Sequence, residues 1–237
     1  MNKRASSNSD EYATRKKPVG ARKTPGSPPI ILLADDHKLL AEGLQGLLSP
    51  EFKVAEIVED GRMLLAANLR LKPDVVITDI SMPNLNGIEA IRELKRNTPD
   101  VRVIVLTMHS DVDYVTEAFE AGANGYVLKS AAASELADTI RAVMKGQRYL
   151  TSSLESKLAV PLRDGGTKPW KGLSTREREV LQLLAEGKIA KEIGAILGVS
   201  KKTAEFHKYR LMEKLGLRTV AELARYAAKR GIVSSGS

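Results

Sequence analysis

Five side chains in this sequence have the chemistry to move a phosphoryl group: Asp35, Asp36, Asp79, Thr107 and Lys129. Three clustered carboxylates repel one another unless a hard cation joins them, and Mg²⁺ takes oxygen ligands of this kind. A hydroxyl from Thr107 and a point charge from Lys129 would complete the set. Carboxylate nucleophile, metal, cation and donor are what phosphoryl transfer to an aspartate requires. Taken singly, each residue has an ordinary structural reading, since paired aspartates often cap helices and a strand-end lysine usually reaches solvent. Their joint placement is harder to explain that way, and the placement follows from the elements around them.

Short apolar runs recur at Ile30–Ala34, Val54–Val58, Val75–Thr78, Val101–Leu106 and Gly125–Leu128. Between them lie segments with helical spacing, such as Leu39, Leu40, Leu44, Leu47 and Leu48, or Ile88, Ile91 and Leu94. This alternation predicts a five-stranded parallel sheet covered on both faces, a doubly wound α/β domain over residues 29–150. Asp35 and Asp36 then close the first strand, Asp79 the third, Thr107 the fourth and Lys129 the fifth. All five residues fall on the carboxyl edge, where adjacent loops of an open sheet part to admit ligands.

The remaining chain reads differently. Residues 1–28 are rich in Ser, Lys, Arg, Gly and Pro and read as a disordered basic tail. Residues 151–171, with Pro161, Gly165-Gly166 and Pro169, read as a linker. From residue 172 to 237 the pattern is all-helical: a capping box at Ser174–Glu177, then four helices punctuated by Gly187, Gly198 and Gly216. Net charge divides along the same lines, +5 over residues 1–28, −5 over 29–150, +2 over 151–171 and +6 over 172–237. A basic end suits a polyanion. With no cysteine, disulfide frameworks and thiolate zinc sites are excluded. No apolar run approaches the roughly 20 residues of a membrane span, so a cytoplasmic protein without membrane partners is expected.

The segments Leu33-Ala34-Asp35-Asp36-His37, Thr78-Asp79-Ile80-Ser81-Met82-Pro83, Leu106-Thr107-Met108 and Gly125-Tyr126-Val127-Leu128-Lys129 resemble the receiver domain of two-component response regulators, a flavodoxin-like fold. That resemblance implies that Asp79 is the phosphoacceptor and that Asp35, Asp36 and Asp79 hold Mg²⁺. It implies further that Thr107 and Lys129 hold phosphoryl oxygens, and that Tyr126 is an aromatic switch. The ordinary reading of Tyr126 is core packing. Two departures stand out: Ser130 replaces the proline that many receivers carry after the lysine, and bulky Met108 would narrow access to Asp79. His37 and His109 read as loop residues near the same edge.

The stretch from Leu173 to Gly187, with Lys191-Glu192-Ile193, Val199-Ser200, Thr203, His207 and Lys214-Leu215-Gly216, resembles a LuxR-type helix-turn-helix. Together the two resemblances identify a member of the NarL/FixJ family of response regulators. The family implies a sensor histidine kinase as phosphodonor, promoter DNA as target and a homodimer on DNA. In such a motif the third helix enters the major groove. Lys201, Lys202, Lys208 and Arg210 can reach phosphates, with Thr203 adding a donor. Glu205, Phe206 and Tyr209 share the outward face with Lys202, and Glu205 and Phe206 are the expected base readers. By resemblance Val220, Leu223, Ala224 and Ala227 of the fourth helix pair two protomers, although they could equally pack on their own domain.

Two other readings remain. An aspartate-nucleophile phosphatase needs a second acid two residues after the nucleophile, where Ser81 stands, so an enzyme beyond self-phosphorylation is not expected. A constitutive DNA-binding protein would leave the near-complete acidic site unexplained. The opposite charges of the two domains further suggest that the receiver docks on the recognition surface and screens Lys202 and Lys208.

Overall fold

The structure, a computed structural model, describes residues 27–158, 172–229 and 232–233. Most of the expected basic tail and the Pro/Gly-rich part of the expected linker lie outside them.

The first unit alternates β1 (Ile30–Ala34), α1 (Lys38–Leu48), β2 (Lys53–Val58), α2 (Gly61–Leu71), β3 (Val75–Thr78), α3 (Gly87–Asn97), β4 (Arg102–Thr107), α4 (Val112–Ala121), β5 (Gly125–Leu128) and α5 (Ala132–Met144). It then adds β6 (Tyr149–Leu150) and α6 (Ser152–Leu158). All pairings are parallel, in the order β2-β1-β3-β4-β5-β6. The doubly wound sheet therefore has six strands rather than the expected five. Only two residues long, β6 leaves no apolar run to read. The segment expected to be linker begins here: Leu154 is buried in the sheet's core, and Thr151 Oγ1 accepts a hydrogen bond from Leu128 N at 3.0 Å.

Alternation along each strand divides the core in two. Ile31 and Leu33 of β1, with Ile104 and Leu106 of β4, meet Ala41 and Leu44 of α1 and Leu136 and Ile140 of α5. Leu32, Ala34, Val103 and Val105 face the other way, against Leu64, Ile88, Ile91 and Val115 of α2, α3 and α4. Successive side chains of a strand point to opposite faces, so unbroken apolar runs are what a sheet buried on both sides needs.

The second unit holds α7 (Thr175–Ala185), α8 (Ala190–Leu197), α9 (Lys201–Leu215) and α10 (Val220–Lys229). α7 opens on the capping box: Glu177 N donates to Ser174 Oγ, and Ser174 N donates to Glu177 Oε2 at 2.7 Å. Gly194 lets α8 lie against the turn that follows, because a Cβ there would stand 2.8 Å from the Val199 carbonyl oxygen. Leu181, Leu184, Ile193, Leu211 and Leu223 centre a core separate from those of the sheet.

Candidate functional site

Strand register gathers the acidic cluster. Ala34 pairs with Thr78, so Asp35 and Asp79 leave the ends of neighbouring strands. Thr107 pairs with Leu128, which brings Lys129 beside the end of β4. Asp35 and Asp79 are both buried. Lys129 Nζ lies 2.7 Å from Asp79 Oδ2 and 2.9 Å from Asp35 Oδ2, while Ile80 N donates to Asp79 Oδ1 at 2.6 Å. Burial works against the charge on Lys129, but the adjoining Asp79 and Asp35 outweigh it and hold its pKa above the usual lysine value. Burial raises the Asp36 carboxyl, and repulsion from Asp35 and Asp79 adds to this against an opposing pull from His37.

Ligand atoms of Asp35, Asp36, His37 and Asp79 lie within 4.8 Å of one another. Asp35 Oδ2 and Asp36 Oδ1 are buried without a hydrogen-bond partner, having only Lys129 Nζ and His37 Nδ1, respectively, at ion-pair distance. Three converging carboxylates, two of them with an unsatisfied oxygen, fit a small hard dication that keeps several of its waters. His37 does not belong to such a set. Its ring reaches Asp35 and Asp36 at 3.1 and 2.9 Å as a nitrogen against carboxylates, largely exposed.

Thr107 and Tyr126 meet through His109. Thr107 Oγ1 accepts from His109 N at 3.3 Å, and the buried Tyr126 hydroxyl donates to His109 O at 2.9 Å. The His109 ring stacks on Tyr114 at 4.4 Å, and its Nε2 lies 2.8 Å from Ser81 Oγ. Burial lowers its pKa. His109, read from sequence as a loop residue, thus ties the loop after Asp79 to the loop after Thr107. Met108, expected to narrow the approach to Asp79, is 73% exposed. Gly87 escaped notice in the sequence altogether. A Cβ there would sit 1.9 Å from the Asp79 carbonyl oxygen, so only glycine lets α3 start this close to the Asp79 backbone. A glycine opening the helix after the Asp79 loop was the available signal.

On the second unit, α9 buries Ala204 and Leu211 and half-buries His207 and Leu215. Lys201, Lys202, Tyr209 and Arg210 are exposed, as is Phe206, while Thr203, Glu205 and Lys208 are half-buried. Phe206 and Tyr209 are 59% and 63% exposed, and Phe206 meets His207 edge-on with ring centroids 5.8 Å apart. Lys208 Nζ lies 4.5 Å over the Tyr209 ring, and Lys201 pairs with Glu205 at 3.6 Å. Ser200 Oγ accepts from Thr203 N and holds the Thr203 hydroxyl at 2.9 Å, capping the helix. The dimerisation face expected on α10 needs correction. Leu223 and Ala227 are fully buried in their own domain's core, because α10 turns them onto α7, and of the four expected residues only Val220 and Ala224 retain exposure.

Comparison with known proteins decides the family. Residues 31–141 match the response regulator receiver domain, and residues 171–227 match the bacterial regulatory proteins of the luxR family. The chain is 38% identical to the transcriptional regulatory protein LiaR of Bacillus subtilis, over 86% of this chain and 99% of that one. It is 36% identical to the transcriptional regulatory protein MctR of Rhizobium johnstonii, over 86% and 95%. This chain is a response regulator of the LuxR-type family. Among solved structures, the RcsB response regulator of Salmonella typhimurium is 31% identical, covers 86% of this chain and 98% of its own, and superposes with a TM-score of 0.61. An RcsB–DNA complex is 30% identical over 85% and 98%, with a TM-score of 0.54.

The response regulator's two domains touch, but not where charge alone suggested. Val180 to Leu184 of α7 are all buried, which one helix face cannot achieve; α7 is covered by its own domain on one side and by the receiver on the other. Arg178 Nη1 lies 2.9 Å from Glu89 and 3.0 Å from Glu117, and Arg62 of α2 stands 3.7 Å from Glu179. Gln182 bonds Met82 and Asn86. The expected screening of Lys202 and Lys208 by the receiver gives way to a dock built on α7, with Lys202 exposed and Lys208 half-buried. Among the described residues, no helix is long and apolar enough to cross a membrane.

Proposed function

We propose that Asp79 accepts a phosphoryl group and that its occupancy governs binding of α9 to promoter DNA. The observation carrying this reading is the Lys129 ammonium bridging Asp79 and Asp35 at 2.7 and 2.9 Å, at a carboxylate cluster with unsatisfied oxygens. A carboxylate oxygen of Asp79 attacks phosphorus while the bond to the donor breaks, giving an acyl phosphate and the free donor, a histidine of a sensor kinase. Mg²⁺ held by Asp35, Asp36 and Asp79 would neutralise charge on the phosphoryl oxygens. Lys129, already aimed at Asp79 Oδ2, supplies a fixed cation for one of them, and the Thr107 hydroxyl a donor for another. Capture of that hydroxyl would release the His109 amide, and Tyr126, bonded to the same residue, would transmit the change.

On the effector side, Lys201, Lys202, Thr203, Lys208 and Arg210 would contact phosphates. Glu205, Phe206 and Tyr209 would face base edges, Glu205 towards cytosine N4 and Phe206 towards a thymine methyl. Two protomers would pair on DNA around Val220 and Ala224. The protein would act in the cytoplasm, with no reaction beyond its own phosphorylation and dephosphorylation. Incubation with acetyl phosphate and Mg²⁺, followed by peptide mass spectrometry, tests the first half. Phosphate on Asp79 is expected, and its absence there under conditions that label other receivers refutes the reading.

A further inference from the structure

The contact between α7 and the receiver is polar almost throughout. Gln182 is wholly buried, its Nε2 donating to Met82 O at 2.7 Å and its Oε1 accepting from Asn86 N at 2.9 Å and from Asn86 Nδ2 at 3.1 Å. Glu186 accepts from Asn84 N at 3.2 Å and from Gln182 Nε2 at 2.8 Å. Met82, Asn84 and Asn86 all belong to the loop that joins Asp79 to α3. The start of the same loop holds Asp79 itself, through Ile80 N, and Gly87 N closes it by donating to Ile80 O at 2.9 Å. Two side chains of the effector domain therefore grip the backbone that carries the phosphoacceptor.

Charge fixes the other end of the contact. Glu89 and Glu117 are buried, and the receiver offers them Arg92, at 3.4 and 2.8 Å. Two carboxylates against one guanidinium leave a negative charge over, and Arg178 of α7 supplies its partner. Groups of this kind are solvated on release, so such an interface can open, unlike an apolar one. Beside the acidic cluster it leaves a cleft of about 300 Å³, walled by Asp36, Ser81 and Met82 of the receiver and by Ala185, Glu186 and Val233 of the effector domain. A phosphodonor is an anion, and the charge that the effector domain sets on this cleft is also negative.

We infer that α7 is a latch on the phosphoacceptor loop: Gln182 and Glu186 hold the loop and close one side of the cleft, so the effector domain restrains phosphorylation of its own receiver. The inference rests on Asp79 being the acceptor. Gln182 and Glu186 act here as positioning residues, touching the loop rather than the phosphoryl group. Coupling is reciprocal for binding, so whatever draws α7 away raises the receiver's affinity for a phosphoryl mimic, and a dianion on Asp79 weakens the grip of Glu186 in return.

The test uses the full chain. Gln182→Glu keeps the shape but sets an oxygen against the Met82 carbonyl. Without any phosphodonor, amide hydrogen exchange at Asn84 and Asn86 is expected to accelerate at least tenfold, with the receiver's melting temperature unchanged. With acetyl phosphate and Mg²⁺, Asp79 is expected to be labelled at least fivefold faster than in the wild type, and Arg178→Ala, at the far end of the contact, to act in the same direction. Glu186→Gln keeps an acceptor oxygen for Asn84 N and removes the charge. It should lower the donor concentration at half-maximal rate at low salt, with the amides still protected and the gain gone at high salt. Unchanged exchange in Gln182→Glu overturns the latch. Faster exchange with labelling no faster than in the wild type overturns the restraint. Should no chain, wild type included, carry phosphate on Asp79, the reading of the acidic site falls and the restraint with it, while exchange still reports the dock.

Discussion

Replacing Lys129 by Met removes the lysine that pairs with Asp35 and Asp79 in the acidic cluster while keeping side-chain bulk. Its Nζ contacts Asp79 at 2.7 Å and Asp35 at 2.9 Å, with the side chain 5% exposed. At an effective dielectric constant of about 20, each contact carries roughly 6 kcal/mol of gross attraction. Each carboxylate pair at the 4.8 Å limit of the cluster carries roughly 3.5 kcal/mol of repulsion. Lysine and carboxylates thus nearly balance, and the variant leaves the repulsion standing. Desolvation and relaxation reduce the gross figure, and removing one partner of a buried pair costs about 3–5 kcal/mol. At about 4 °C per kcal/mol for a domain of this size, the receiver's melting temperature should fall by roughly 12–20 °C.

Circular dichroism melts in EDTA measure this fall, and repeat melts in Mg²⁺ measure the rescue, which is about 2.7 kcal/mol at a hundredfold excess over the dissociation constant. The sign of the pH dependence follows from the same charges. Without Lys129 the burial and like-charge repulsion that already raise the Asp36 carboxyl go unopposed, so stability is present at low pH and lost as pH rises through the folded pKa of that group. The deficit of the variant should therefore shrink towards pH 5. In the wild type the folded pKa of Lys129 is raised, so its contribution is complete below the ordinary lysine value of about 10.4 and is lost as pH climbs through the folded one. A melting temperature within about 2 °C of wild type in EDTA would show that the cluster does not depend on this lysine.

Further outcomes are expected. Asp79→Ala should abolish Mg²⁺-dependent phosphorylation with the fold intact, and mass spectrometry finding phosphate retained on another aspartate would reassign the acceptor. Lys202→Ala or Lys208→Ala should weaken binding to all DNA sequences and lower the salt slope by about one unit for each DNA phosphate no longer neutralised. Glu205→Ala should relax preference at one base pair of each half-site, and uniform weakening across sequences counts against base reading. Leu223→Ala should destabilise the helical domain by about 2–5 kcal/mol in urea unfolding, whereas Val220→Asp should leave the urea midpoint nearly unchanged and reduce the two-protomer complex in gel-shift titrations.

Much of the receiver was legible because its physics is repetitive. Five apolar runs specify a sheet buried on both faces, and the residue after each run falls on the ligand edge, so Asp35, Asp79, Thr107 and Lys129 could be placed together from sequence alone. β6 was not legible, since two residues carry no period. Nor was the joining role of His109, whose ring finds Tyr114 and Ser81 only after the loop following Asp79 meets the loop and helix that follow Thr107. The stripe Val220, Leu223, Ala224 and Ala227 says that a face is buried but not against what. Leu223 and Ala227 went to the domain's own core, which leaves the proposed pairing of protomers only the margin of that stripe.

The dock between the domains shows where summed charge misleads. A receiver of −5 and an effector domain of +6 attract as wholes, which suggested that the basic recognition helix would be covered. Screening limits that attraction to about 8–10 Å at ordinary salt, so contacts at closer range choose the face. Arg178 has two buried carboxylates to meet, and Gln182 has three polar groups of one loop. Hydropathy along α7 could not announce this, because a polar helix face reads as solvated until its partners are known. The consequence for function is specific. On the proposed reading of α9, phosphorylation need not uncover Lys202, and what the dock constrains is the position of the effector domain.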